Sequence, residues 1–242
     1  MGTIPPPGRL YRFTGLDAVA AGLYLGLMFF AAFAGQLIAP LLSEIMPTQA
    51  AASYAVNLVF YSSIGIFALV AAWSVLARDT RILATRPWFT LAMVPAAVVV
   101  MLVFTAIVVA ATGQARPSEN QLSLQSLIQG VPAWLVVPLL VVIGPFVEEY
   151  IFRHLLIGKL SGRLNIWLCC ALSIVLFAGI HVFSNEGLSV SAMVPYLAMG
   201  SVLVAVYVWT GMNLAFSFLV HAGKNLLAVL LIYAIPPEFF GA

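Results

Sequence analysis

Gly144–Arg153 reads G-P-F-V-E-E-Y-I-F-R and lies inside an otherwise apolar run from Ala133 to Ile157. About 20 predominantly apolar residues are what one helix needs to cross a bilayer. The stretch is therefore predicted to be a membrane-spanning helix with Glu148, Glu149 and Arg153 in its interior. A charged side chain at the centre of such a helix costs roughly 2.5–3.5 kcal/mol on insertion scales. Three ionisable groups so close together require partners, a wet cavity, or both. Polar groups deep in later apolar segments, His181, His221 and Asn225, are the candidates.

The rest of the chain agrees with this reading. Of its 242 residues, 63% are hydrophobic and 7% charged, with a mean hydropathy of +1.10. A soluble domain carries about a quarter charged residues. The expected class is all-α, a polytopic transmembrane helical bundle. Net charge +2 with no basic run speaks against nucleic acid as a partner. Cys169 and Cys170 are adjacent inside an apolar segment, so they form neither a disulfide framework nor a C-x-x-C metal spacing and read as small buried residues.

Seven runs approach spanning length: Ala18 to Leu42, Ala52 to Leu76, Phe89 to Ala111, Ala133 to Ile157, Ile166 to Val182, Leu188 to Val208 and Leu214 to Ile235. The first, preceded by Arg9 and Arg12, carries an A-F-A at Ala32 to Ala34 that imitates a signal-peptidase site. The apolar stretch continues past it, so an uncleaved helix is expected. Gly22 and Gly26 form a G-x-x-x-G there, the pattern of close helix packing. The polar connection Thr112 to Gly130 holds Leu122, Leu124, Leu127 and Ile128, enough for a short interfacial helix.

Lys and Arg set the orientation. One set of connections holds Arg9, Arg12, Arg78, Arg81, Arg86, Lys159 and Arg163. The other holds Arg116 beside Glu44, Glu119, Glu186 and Glu238. The expectation is a multi-pass protein of a bacterial inner membrane, with its N-terminus in the cytoplasm and its C-terminus outside.

On a helix, residues four apart share a face and immediate neighbours diverge by about 100°. Glu149 and Arg153 can then pair, while Glu148 points elsewhere, toward a cavity. Pro145 is expected to kink the helix just before the acids. F-A-G-I-H places Phe177 and His181 four apart, and H-A-G-K-N does the same for His221 and Asn225. Counting about 1.5 Å per residue from the cytoplasmic ends puts Glu148 about 14 Å deep, His221 about 10 Å and His181 about 22 Å. Tilt and side-chain reach would have to close that spread of about 12 Å.

Blander roles stand beside these. Arg153 could snorkel to the inner surface, and His154 could sit at the interface. His181 or His221, taken singly, could simply bond a backbone carbonyl, and Asn225 and Asn57 could be interhelical hydrogen-bond donors. Lys224, next to Asn225, could face the polar cavity and pair with Glu148 or Glu149, or snorkel inward, a pair with Glu149 or cavity water being the expectation.

No Ser or Cys lies in a nucleophile motif, and neither H-E-x-x-H nor a glycine-rich phosphate loop is present. The residue types that are present describe amide hydrolysis by activated water. Glu148 with His181 would deprotonate the water, and His221 with Asn225 would donate to the growing oxyanion.

E-E-Y-I-F-R (Glu148, Glu149, Arg153), F-A-G-I-H (Phe177, His181) and H-A-G-K-N (His221, Asn225) resemble the E-E-x-x-x-R, F-x-x-x-H and H-x-x-x-N motifs of the CPBP intramembrane proteases. That family is also called the CAAX protease and bacteriocin-processing or Abi family. The resemblance covers Gly130 to Ile235. It divides the chain into N-terminal helices with their connecting loop (1–129) and a CAAX-protease-like catalytic core (130–242). It implies a helical bundle opening toward the cytoplasm that cleaves a peptide bond near the membrane in a peptide or protein substrate, lipidated or not. By that resemblance Glu148, His181, His221 and Asn225 are catalytic, and Glu149 and Arg153 are supporting. No cofactor is expected.

Two other readings fit the same residues. In one, His181, His221 and Glu148 bind zinc and Glu149 is the base. In the other, intramembrane acids and histidines form a proton or ion pathway of a transporter, or the protein serves an immunity or scaffold role without cleaving anything.

Overall fold

The computed structural model describes residues 8–113, 119–186 and 189–234. Arg116, Glu238, the Leu188 start of one expected span and the Ile235 end of another lie outside the described residues. A 3₁₀ turn at Arg9–Tyr11 is followed by α1 (Gly15–Ile45), α2 (Gln49–Thr85), α3 (Pro87–Thr112) and α4 (Glu119–Gly130). Then come α5 (Ala133–Gly162), α6 (Ile166–Glu186), α7 (Val190–Trp209) and α8 (Leu214–Ala234). No strand occurs among the described residues.

Helices α2, α3, α5, α6, α7 and α8 are long and apolar enough to cross a membrane. Among the described residues this makes six spans, within one of the seven expected; the apolar part of α1, Gly15–Ala31, is shorter than a span. The outward faces of the helices carry large apolar side chains such as Leu37, Val59, Ile66 and Ile107. Lipid rather than water is the solvent that such a surface suits. Trp88, Trp167 and Trp209, all more than two-thirds exposed, ring the basic end, and Trp134 stands at the other. Tryptophan at both ends of apolar helices marks the two interfaces.

Local chemistry sets the helix ends. Thr14 and Asp17 form a capping box at α1: the Asp17 N–H donates to Thr14 Oγ1, and the Thr14 N–H donates to Asp17 Oδ2 at 2.6 Å. Thr48 caps α2, and Ser189 caps α7. Gly113 ends α3 in the left-handed conformation, φ 69°. The α7–α8 turn needs positive φ at both Gly211 and Met212. Two hydrogen bonds hold Met212 there: its N–H donates to the Tyr207 carbonyl at 2.8 Å, and its carbonyl accepts from Tyr11 Oη at 3.1 Å.

Several expectations change. α2 runs to Thr85, well past Leu76, so Arg78 and Arg81 belong to the helix. The Gly22/Gly26 pair makes no close contact, because a Cβ at either would meet nothing within 4 Å. α1 instead docks through Asp17, Ala20 and Tyr24, all buried. Asn57 donates to the Ser53 carbonyl of its own helix, and among the described residues it makes no hydrogen bond to another helix. The short helix expected between α3 and α5 exists as α4, anchored by buried Leu127 and Ile128.

Pro145 does not break α5. The helix is wound as a π-helix at Pro138–Ile143, as an α-helix at Gly144–Glu148 and as a π-helix again at Glu149–Lys159. Wide turns of this kind are rare and recur at functional sites. They absorb the missing N–H of the proline and leave particular carbonyls for other helices to satisfy.

Polar groups at the basic end are internal rather than interfacial. Lys159 Nζ donates to both Asp17 oxygens at 2.7 Å, and Tyr150 Oη donates to Asp17 Oδ1. Asp79 accepts from Arg78 and from the Leu214 N–H at 2.6 Å, capping α8. His154 is fully buried between the rings of Tyr11 and Tyr150, which corrects the interfacial role. These contacts tie α1, α2, α5 and α8 together at the basic end of the bundle.

Candidate active site

Glu148 leaves the short α-helical turn of α5, and its carboxylate splits its contacts. Oε1 accepts from Tyr61 Oη at 2.7 Å. Oε2 lies 3.8 Å from His181 Nε2 and 3.7 Å from His221 Nε2. The depth spread counted along the sequence therefore closes, and residues from α2, α5, α6 and α8 meet at one carboxylate.

Each histidine is oriented through its other nitrogen. His181 Nδ1 is 2.7 Å from the Phe177 carbonyl one turn back on α6. A carbonyl only accepts, so Nδ1 carries the hydrogen and a neutral ring turns the Nε2 lone pair toward Glu148. The ring stacks on Tyr196 of α7, centroids 4.6 Å apart, and packs against Phe177. Asn120 of α4 donates to Tyr196 Oη at 3.1 Å, so α4 reaches this corner through one intermediate ring. His221 Nδ1 is 2.9 Å from Glu149 Oε1, which again places the hydrogen on Nδ1 and leaves Nε2 facing Glu148.

Glu149 is fully engaged. Its Oε1 takes His221, and its Oε2 takes the Ser217 hydroxyl and lies 3.4 Å from Arg153 Nε. The expected i, i+4 pair is thus present, but Arg153 does not snorkel. It is wholly buried, with its guanidinium carbon 4.4 Å from the Phe177 ring centroid. No guanidinium nitrogen has a well-formed hydrogen bond among the described residues. Its contribution is charge and ring contact.

Asn225 shares the His221 face of α8, yet its recorded hydrogen bond is structural. Nδ2 donates to the Leu140 carbonyl at 2.8 Å. That carbonyl is free for a definite reason. The Gly144 N–H, its α-helical partner, reaches back to Leu139, and the next residue, Pro145, has no N–H. Among the described residues no hydrogen bond joins Asn225 to Glu148 or His181.

Lys224 is half-buried, and no described carboxylate lies within ion-pair distance of it. Both Glu149 oxygens are already engaged by His221, Ser217 and Arg153, so the expected pair with Glu149 is not formed.

The zinc variant needs Glu149 as a free base, and both Glu149 oxygens are occupied. Among the described residues no group of three or more His, Cys, Asp or Glu is disposed to hold a metal ion.

Sequence reasoning missed Tyr61, Ser217 and Tyr196. Ser217 had a signal, since it stands four residues before His221 on the same helical face. Tyr61 and Tyr196 had none, because each depends on how α2 or α7 crosses the site.

Comparison with known proteins places the matched region over this site. Residues 130–227 match the family model described as Type II CAAX prenyl endopeptidase Rce1-like. YdiL of Bacillus subtilis (strain 168), named as a membrane peptidase, is 32% identical over 98 residues, 40% of this chain and 37% of that protein. The UPF0177 protein YbdI of Lactococcus lactis subsp. lactis (strain IL1403) is 32% identical over 112 residues, 46% of this chain and 57% of that protein. The aligned parts thus span less than two-thirds of either relative. No solved structure matches. Tyr61 lies outside the matched segment, whereas the acids, both histidines and Asn225 lie within it. The three motifs assembled on α5, α6 and α8 all lie within residues 130–227, the less-than-half of the chain that is similar to the Rce1-like Type II CAAX prenyl endopeptidases.

Proposed function

We propose that the protein is a metal-free intramembrane endopeptidase that hydrolyses a peptide bond with water activated by Glu148. The observation that carries this is the position of Glu148 Oε2, 3.8 and 3.7 Å from two imidazole Nε2 atoms. Those separations are too long for direct hydrogen bonds and suit groups bridged by one water. Neutral His181 and the carboxylate are both acceptors, so a water between them gives a hydrogen to each. Its oxygen is then left to attack a carbonyl carbon while Glu148 takes the proton. Glu148 later returns that proton to the leaving amine.

His221 serves the oxyanion. With a second proton on Nε2 it becomes a donor, and Glu149, fixed by Ser217 and Arg153, holds the charged ring in place. Asn225 contributes the amide hydrogen that Leu140 does not use. The roles of Glu149 and Arg153 are to orient and balance charge without touching substrate. The substrate is a peptide or protein reaching the site from the membrane, and the basic end, with the N-terminus, faces the cytoplasm.

The test is purified protein in detergent with a panel of fluorogenic peptides. Glu148→Gln and His181→Ala are expected to lower the rate by about 10²–10⁴-fold, the range for a lost acid–base group. If both variants cleave like the wild type, the assigned chemistry is wrong. A wild type that cleaves no peptide favours the transport, immunity or scaffold reading.

A further inference from the structure

We infer that Tyr61, on a helix outside the family-matched segment, is a positioning residue that fixes the carboxylate plane of Glu148; this rests on the peptidase reading above. Close helix packing puts it there. A Cβ at Gly65 would lie 3.5 and 3.6 Å from Val147 and Ile143, so α2 and α5 touch nearly backbone to side chain. One turn earlier, the Tyr61 ring passes over Gly144, where a Cβ would sit 3.7 Å from Cζ and 3.8 Å from Cε1. Gly144 and Glu148 are four apart on the one α-helical turn of this region. The ring therefore lies on the face from which Glu148 projects, and its hydroxyl arrives at Oε1 at 2.7 Å.

The terminal torsion of a glutamate is broad and roughly two-fold, so an unheld carboxylate swings. A charge-assisted bond to Oε1 stops that swing and leaves Oε2 turned to the two histidines. Among the described residues Tyr61 is the hydrogen-bond donor recorded on Glu148. Its ring is itself fixed by an edge contact with Phe60, which packs on Tyr24 of α1. The first half of the chain thus completes a site whose reacting groups all lie in the second half.

Tyr61→Phe keeps the ring and removes the donor. With a peptide that the wild type cleaves, kcat should fall about ten- to a hundredfold, the range of one hydrogen bond to a charged group. KM and the melting temperature in detergent should stay near wild type. A wild-type kcat, or a loss confined to KM, overturns the inference while Glu148→Gln inactivity leaves the peptidase reading standing. A fully active Glu148→Gln protein overturns both. Should the phenylalanine protein fail to fold, 3,5-difluorotyrosine at position 61 keeps the shape and changes donor strength. An unchanged kcat there also refutes the role.

Discussion

Arg153→Met tests how the core tolerates its charges. The guanidinium is fully buried, lies 3.4 Å from Glu149 Oε2 and sits over Phe177. Removing it leaves Glu149 with only two neutral donors, His221 and Ser217, to offset an anion away from water. Breaking one side of a buried pair costs about 3–5 kcal/mol, because the surviving charge keeps its desolvation penalty. For a chain of this size 1 kcal/mol moves the midpoint by about 2–4 °C, so melting should drop by about 6–20 °C. Glu149→Gln strands the guanidinium and should cost a similar amount. The double variant removes both charges and should be more stable than the sum of the singles predicts, by about 2 kcal/mol or more. Melting of all four proteins in one detergent, followed by tryptophan fluorescence, gives the cycle. Additivity within about 0.5 kcal/mol would show that the two groups do not support each other and would refute the account of Glu149.

Asn225→Ala should separate two duties. The Leu140 carbonyl loses its partner, a cost of about 1–3 kcal/mol for a buried acceptor read from melting, and the rate falls further if the second amide hydrogen serves the oxyanion; a wild-type melting point would contradict the π-helix argument. A strong chelator such as 1,10-phenanthroline should leave peptide cleavage intact, because Glu149 is committed to His221, Ser217 and Arg153. Loss of cleavage restored by added zinc would overturn the metal-free mechanism.

Much of the site was legible because charge inside an apolar helix is conspicuous. Glu148, Glu149 and Arg153 stand out against Ala133 to Ile157, and i, i+4 spacing tied Phe177 to His181 and Glu149 to Arg153. Where that local logic met the bilayer it also misled. His154 and Lys159 near a helix end looked interfacial, and the structure buries both, Lys159 on an aspartate 142 positions away. Around Pro145 the helix changes its winding, as a π-helix before Gly144 and again from Glu149 onward, which no local pattern announced.

The sequence by itself determined an all-helical membrane bundle, its approximate spans and which acids, histidines and amides stand inside it. These follow from insertion energetics and the 3.6-residue period, which act over a few neighbouring positions. Only the tertiary structure decided that Tyr61 holds Glu148, that Ser217 and His221 saturate Glu149, and that Asn225 serves a carbonyl orphaned by proline. Each of those contacts joins different helices. No periodicity along one helix says which face of another it will meet, and that choice is made by packing at residues such as Gly65 and Gly144.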